Sequence, residues 1–174
     1  MSKVIKIKRG KNIRLIGEAE KRILDTWSSG TYALKPADFN GLIPKMEVKV
    51  GARVQAGETI FHSKSNPNVK FASPVSGEVV EIVRGERRVI LEVIVKADAE
   101  IEYKKFDTNK DVKEVMLESG FWPILKQRPY NVLADENVRP KAIHISTFDS
   151  SPLAPDYNFI LKGQEDHFKR GMAA

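Results

Sequence analysis

The chain has 174 residues, a formal net charge of +6, no cysteine and a 41% hydrophobic share. That length suits one sizeable domain or two small ones, able to bury roughly 70% of the surface the unfolded chain exposes. Disulfides, thiolate chemistry and cysteine metal sites are excluded. No apolar run approaches the ~20 residues of a membrane-spanning helix, and the basic N-terminus lacks the apolar core and small-residue cleavage site of a secretory signal.

Charge is uneven along the chain. Residues 1–30 carry eight Lys/Arg against three Asp/Glu. Such a segment could face nucleic acid, anionic lipid or an acidic protein. No aromatic residue precedes Trp27 for base stacking, so the favoured reading is a solvated edge strand guarded by lysines, over Lys3–Gly10. Gly17–Leu24 reads as a turn or short helix. Ser28-Ser29-Gly30 breaks the chain and Thr31–Leu34 resumes as strand. Pro36, Asn40-Gly41 and Pro44 make a loop.

The centre of the chain is a compact β unit, Val48–Val95. Met46, Val48 and Val50 alternate with Lys45, Glu47 and Lys49, a period of two that predicts a half-buried strand. Strands follow at Thr59–Ser63 and Val69–Ala72, separated by the turn Ser65-Asn66-Pro67-Asn68. In Phe71–Ile82, Pro74 and Gly77 make a sharp corner between two strands, since proline holds Ser73 extended and glycine accepts a backbone conformation that a side chain hinders. Gly77–Val83 is the next strand and Gly85 turns it. Val89, Leu91, Val93 and Val95 are expected to share one core face. Short strands with glycine corners predict a small barrel or sandwich.

Near residue 97 the composition changes. Ala97–Lys105 reads as a charged linker with some strand. Thr108 and Asp111 resemble a capping box, Val112, Val115 and Met116 form a helical stripe, and Gly120 sits where a helix C-cap wants it. Phe121–Leu125 reads as a further helical turn with Pro123 in its first turn. Ala142–Ser146 reads as a short buried strand, and Gln164–Ala174 as a helix. This alternation looks like the start of an α/β unit, and the chain is expected to be the front part of something longer.

Motifs for chemistry are sparse. Neither GxGxxG nor GxxxxGK[ST] is present, so no phosphate-cradling loop is assigned. His62, His144 and His167 show no metal-ligand spacing. Asp149-Ser150-Ser151 lacks a nucleophile elbow and reads as loop capping. Glu78, Glu81, Glu86 and Glu92 with Arg84, Arg87 and Arg88 read as cross-strand charge pairs on a solvated face. Arg128-Pro129-Tyr130, with Trp122 upstream, either lines a pocket for a planar ligand or anchors a helix to a loop.

Two resemblances follow from these residues. Val48–Ile82 resembles a lipoyl/biotinyl carrier domain, with the pattern V-x-V-G-x-x-V-x-x-G-E-x-I, a hairpin, and S-P-V-S-G-x-V-V-E-I. The carrier resemblance implies a modified lysine at the hairpin tip, here Lys64. Its neighbours Ser63, Ser65 and Asn66-Pro67-Asn68 depart from the attachment pattern. Over its whole length the chain resembles the N-terminal part of the A subunits of bacterial Na+-translocating NADH:quinone oxidoreductases. The resemblance is carried by Ile5–Gly10, Val48–Gly51, Asn66–Gly77, Val79–Ile82, Arg84-Gly85, Arg88-Val89, Glu118–Trp122, Arg128-Pro129-Tyr130 and Asp149 through Leu153-Ala154. Rnf-type electron-transport C subunits share the carrier-like unit and are the nearest alternative.

That resemblance implies a mixed, mainly β fold: a barrel-sandwich hybrid without lipoate or biotin over 46–97, N-terminal strands packing on it over 1–45, and an incomplete α/β nucleotide-binding-like domain over 98–174. It implies a peripheral location on the cytoplasmic face of the bacterial inner membrane. It implies as partners the other subunits of the sodium-pumping complex, chiefly the membrane B subunit, and not nucleic acid. It implies a quinone as substrate, with NADH and flavins elsewhere in the complex, and the chain alone is not expected to be catalytic. Phe39, Arg128, Pro129 and Tyr130 are the expected quinone-binding residues. No metal site is expected, and cofactor attachment at Lys64 belongs only to the carrier alternative.

Overall fold

The computed structural model describes residues 4, 6, 9, 10, 13, 15–17, 20–23, 29–149 and 151–173. The chain forms two units, one of Trp27–Arg139 and one of Met1–Thr26 with Pro140–Ala174.

The first unit holds every described strand. These are β1 (Thr31–Leu34), β2 (Pro44–Met46), β3 (Arg53–Val54), β4 (Thr59–Ser63), β5 (Lys70–Ala72), β6 (Gly77–Arg84), β7 (Ile90–Ala97), β8 (Lys126–Gln127) and β9 (Val132–Leu133). One sheet runs β1-β7-β6-β3, a second β2-β4-β5, and β8 pairs with β9 alone. All pairings are antiparallel. Ile60, Phe61 and Phe71 from the second sheet meet Val79, Val93 and Val95 from the first in one core. Phe61 and Phe71 stack with ring centroids 4.9 Å apart. The sandwich of short strands anticipated from the glycine corners is present.

The corner at Pro74 is held by Ser73 Oγ, which donates to the Val75 carbonyl at 2.6 Å. Gly77 is required there: a Cβ on it would run into the Lys96 carbonyl oxygen. The charged segment after β7 is a strap. The Ala56 amide donates to the Glu102 carbonyl, and the Lys104 amide donates to the Ala56 carbonyl, both at 2.9 Å.

Several local expectations are corrected. The alternation over Lys45–Val50 yields a strand of only three residues, and Val50 is 58% exposed. The chain must turn there to pass from the second sheet to the first, where the Gly51 amide bonds the Val79 carbonyl at 2.8 Å. Val89, Leu91, Val93 and Val95 do not share a face. The register between β6 and β7 shifts between Val83 and Arg84, so Ile90 points inward with Val93 and Val95 while Val89 and Leu91 are exposed. A β-bulge of this kind inverts the alternation for every residue beyond it. A second shift, between Val79 and Glu81, leaves Val80 exposed and lets Ile82 pack on the core.

Gly85 does not make the turn into β7. The Val89 amide donates to the Glu86 carbonyl at 3.1 Å, across Arg87 and Arg88 at φ 53° and 62°. The glutamates and arginines there form no cross-strand ion pairs with one another among the described residues; Glu92 pairs with Lys35 at 3.2 Å, and Arg53 with Asp98 at 2.7 Å.

The helix α1 (Val112–Glu118) starts at Asp111, not Thr108. The Asp111 carboxylate accepts from the Lys113 amide at 2.9 Å, satisfying one of the first-turn donors. It ends as expected at Gly120 (φ +75°), after which the Phe121 amide donates to the Met116 carbonyl at 3.0 Å. Pro123 lies in a 3-10 turn over Trp122–Ile124.

In the second unit, α2 (Tyr157–Ile160) is capped by Asp156, whose carboxylate also pairs with Lys21 Nζ at 2.9 Å. The expected C-terminal helix is α3 (Glu165–Ala173). Asp149 Oδ1 accepts from the Ser151 amide and hydroxyl at 2.8 and 2.6 Å, the loop capping anticipated. Ala142–Ser146 is not a strand: these residues take no regular secondary structure and are exposed, with no described strand in this unit to pair with. Half of the edge strand expected over Lys3–Gly10 lies outside the described residues; of Gly17–Leu24, residues 17 and 20–23 are described, and none of them is helical, Gly17 lying in a bend.

Candidate functional site

The carrier resemblance assigns a modified lysine to the tip of the β4–β5 hairpin, where Lys64 lies. Asn66-Pro67-Asn68 turns as its composition requires: the Asn68 amide donates to Asn66 Oδ1 at 3.2 Å and the Val69 amide to the Asn66 carbonyl at 3.1 Å. Lys64 is exposed, yet its amide donates to the Ile43 carbonyl at 2.8 Å and the hydroxyls of Ser63 and Ser65 lie 3.0 Å apart. Asn68 Nδ2 donates to Glu136 Oε1 at 2.8 Å, and Glu136 is only 8% exposed. The tip is therefore tied to later parts of the chain rather than standing alone in solvent.

The segment it is tied to is built around Trp122. The indole Nε1 donates to the Ala134 carbonyl at 2.8 Å, and the Ala134 amide donates back to the Leu125 carbonyl at 3.2 Å. These bonds close the β8–β9 hairpin, whose turn spans Arg128–Asn131 with Asn131 at φ 55° and a cis Arg128–Pro129 bond. Between this segment and the β4–β5 tip, with Asn40 and Gly41 at one edge, lies an open cleft of about 560 Å³. Its walls are largely polar, including Asn66, Asn68, Asp135, Glu136 and Asn137, with Val69 and Leu133 as apolar contributors. Glu136 also borders a second cleft of about 520 Å³ beside α1, where Glu118 lies. Lys110 Nζ donates to Glu118 at 2.7 Å and holds that carboxyl below its ordinary range.

The four expected quinone residues divide into two places. Phe39 is half-buried, edge-on to Phe71 with centroids 4.7 Å apart. The ammonium of Lys126, at the base of the β8–β9 hairpin, lies 4.8 Å from the Phe39 ring centroid, a cation–π contact. Arg128, Pro129 and Tyr130 are exposed at the hairpin turn, Tyr130 by 75%. Phe39 thus abuts the base of the hairpin, and among the described residues no hydrogen bond, ion pair or ring contact joins it to Arg128 or Tyr130. Trp122 is buried and serves as the anchor of the hairpin rather than as part of its surface.

Lys126, Asn68 and Glu136 were not legible as partners in the sequence. A charge beside an aromatic, or an amide and a carboxylate far apart in the chain, carries no local pattern. His62 Nδ1 lies 2.7 Å from Glu47 Oε1, and no group of three metal-ligating side chains occurs among the described residues.

Comparison with known proteins gives this arrangement a family. Residues 5–98 match the family described as the NqrA N-terminal barrel-sandwich hybrid domain, and residues 107–174 match the NqrA second alpha/beta domain. Proteins named as the A subunit of Na(+)-translocating NADH-quinone reductase, from Neisseria meningitidis serogroup B, Pseudomonas aeruginosa PAO1 and Vibrio vulnificus YJ016, are each 33% identical to it. Each alignment covers 97% of this chain and 40% of the relative, so the chain spans about two-fifths of the length of these relatives. With a barrel-sandwich whose hairpin is tied down by a later segment, and with both regions matched in order, the chain belongs to the NqrA family.

Proposed function

We propose that this chain is a segment of the peripheral A subunit of a Na+-translocating NADH:quinone reductase, where it contributes to quinone binding and docks on the membrane-embedded subunits, chiefly B, at the cytoplasmic face. The relatives' names support the complex. No helix among the described residues is long and apolar enough to cross a membrane, which suits contact through neighbours. NADH and flavins belong to other subunits in this reading, and the chain carries no covalently bound group.

The observation that carries the quinone reading is the exposed Arg128-Pro129-Tyr130 turn on a hairpin fixed by Trp122. A planar quinone needs an aromatic face and a donor for its carbonyl oxygen. Tyr130 supplies the first and the Arg128 guanidinium the second, and Phe39 with Lys126 buttresses the hairpin base. The test is labelling of the assembled complex with a photoreactive quinone analogue. Arg128→Ala and Tyr130→Ala are each expected to weaken labelling of this chain about tenfold, the equivalent of one good contact. Labelling unchanged in both variants would remove quinone binding from this turn.

A further inference from the structure

The outer half of the β6–β7 hairpin packs Ile82 and Ile90 on the core but has no further strand paired along its edges. β1 pairs only with Val93–Lys96 of β7, and β3 only with Gly77 and Glu78 of β6, so Glu81–Arg84 and Ile90–Glu92 pair with the opposite arm of the hairpin and with no other described strand. At the end of this ribbon Arg87 and Arg88 both have positive φ. That is the backbone of a primed hairpin turn, where Asn-Gly is the usual occupant because side chains with a Cβ are strained there. Two consecutive arginines in such a turn oppose local preference, and strain of this kind is a pointer to function.

The arginines are also electrostatically idle within the fold. Among the described residues neither Arg87 nor Arg88 makes an ion pair, and the Arg84 guanidinium donates only to the Arg88 carbonyl, at 3.3 Å. Glu86 is the one opposing charge in the turn, which leaves the tip cationic. Two aliphatic side chains lie among these cations, Val89 at 56% and Leu91 at 43% exposure. Leu91 folds over Gly85, where it would contact a Cβ at 3.2 Å, which keeps it at the tip.

We propose that the Arg84–Leu91 tip is a docking element for an anionic lipid bilayer. The guanidiniums meet headgroup phosphates, and Val89 and Leu91 enter the boundary between headgroups and acyl chains. A hairpin end with exposed aliphatic groups set among cations has the composition of an interfacial anchor. An acidic protein surface would pair with the arginines but would not by itself require exposed aliphatics among them. Lipid binding is read without quinone, so its failure is distinguishable from failure of the quinone reading.

The test uses the 174-residue chain with phosphatidylcholine vesicles and with vesicles containing phosphatidylglycerol, by co-sedimentation at low salt. Binding is expected only to the anionic vesicles. Arg87→Asn with Arg88→Gly removes two charges and also relieves the turn. It is therefore expected to fold with an equal or higher melting temperature while its vesicle partition falls about 30-fold. A Lys45→Gln, Lys49→Gln control removes the same charge elsewhere and is expected to lose much less. A tryptophan placed at Val89 is expected to shift its emission to the blue on anionic vesicles. Equal losses from the arginine and lysine pairs, unchanged binding of the arginine variant, or no shift at Val89→Trp would each overturn the proposal. So would a vesicle partition that stays intact while binding to a purified acidic partner protein is lost.

Discussion

Asn68 and Glu136 sit 68 positions apart in the chain, and the Asn68 side-chain amide donates to the Glu136 carboxyl at 2.8 Å. One belongs to the hairpin that carrier domains use for their cofactor, the other to a segment that begins beyond the helix α1. The bond converts a projecting tip into a braced one.

Removing the donor should be costly because Glu136 is buried. Asn68→Ala is expected to lower the unfolding free energy by about 1.5–3 kcal/mol, the usual range for a hydrogen bond to a charged group whose partner is left behind. Urea denaturation measures it. Asn68→Ala combined with Glu136→Ala should lose less than the two single variants together, since no orphaned carboxyl remains. Additive losses would show that the two residues act independently.

Gly77 and Gly120 are held by close backbone approach. A Cβ at Gly77 meets the Lys96 carbonyl, and one at Gly120 lies 2.8 Å from both the amide nitrogen and the Cβ of Ala72, at φ +75°. Gly77→Ala is expected to cost about 3 kcal/mol or more, and Gly120→Ala about 1–3 kcal/mol. Thermal melts followed by circular dichroism check both. A melting temperature within experimental error of wild type at Gly77→Ala would contradict the packing described.

Asp98 accepts two hydrogen bonds from one guanidinium nitrogen of Arg53, at 2.7 and 2.8 Å, and this holds its carboxyl below the ordinary value of 3.8, against partial burial and with further help from Ser76. A carboxyl depressed in the folded state adds stability that is complete above its unfolded value and lost as pH falls through the lower, folded one. The stability of wild type relative to Asp98→Asn is therefore expected to be constant near neutrality and to shrink below about pH 4. Melting temperatures across roughly pH 2.5–7, an interval that brackets the ordinary carboxyl range, test the sign. A gap that widens on acidification would refute it.

Lys64 is exposed at the hairpin tip, the one feature that favours a modified carrier. Its flanking serines do not match the attachment pattern, and the sandwich core of Ile60, Phe61, Phe71, Val79, Val93 and Val95 is filled by side chains. Residues 27–139 are expected to fold and melt cooperatively without lipoate or biotin. Co-expression with either ligase is expected to leave the intact mass unchanged. A mass gain located at Lys64 would revive the carrier reading.

How much was legible differs by distance along the chain. Asn66-Pro67-Asn68, Pro74 with Gly77, and the Gly120 cap act through their own backbone restrictions, so composition alone places these turns. The sandwich class follows from them. The strand faces do not, because a single inserted residue at Leu91 or Val80 reverses the alternation, and a bulge is set by the partner strand. Arg87-Arg88 gave no turn signal either, since neither residue favours positive φ. Ala142–Ser146 had the composition of a strand but found no partner edge, and a strand exists only through pairing.

By itself the sequence determined the turns at Asn66–Asn68 and Pro74–Gly77, the small β-sandwich class, the helix end at Gly120 and the family. Each of these rests on short-range restrictions or on order along the chain. The tertiary structure alone decided that Phe39 lies beneath Lys126, that Trp122 is an anchor rather than a surface residue, and that Glu136 braces the Asn68 tip. Those relationships depend on which distant segments the core brings together, and packing of that kind leaves no periodic trace in the residues themselves.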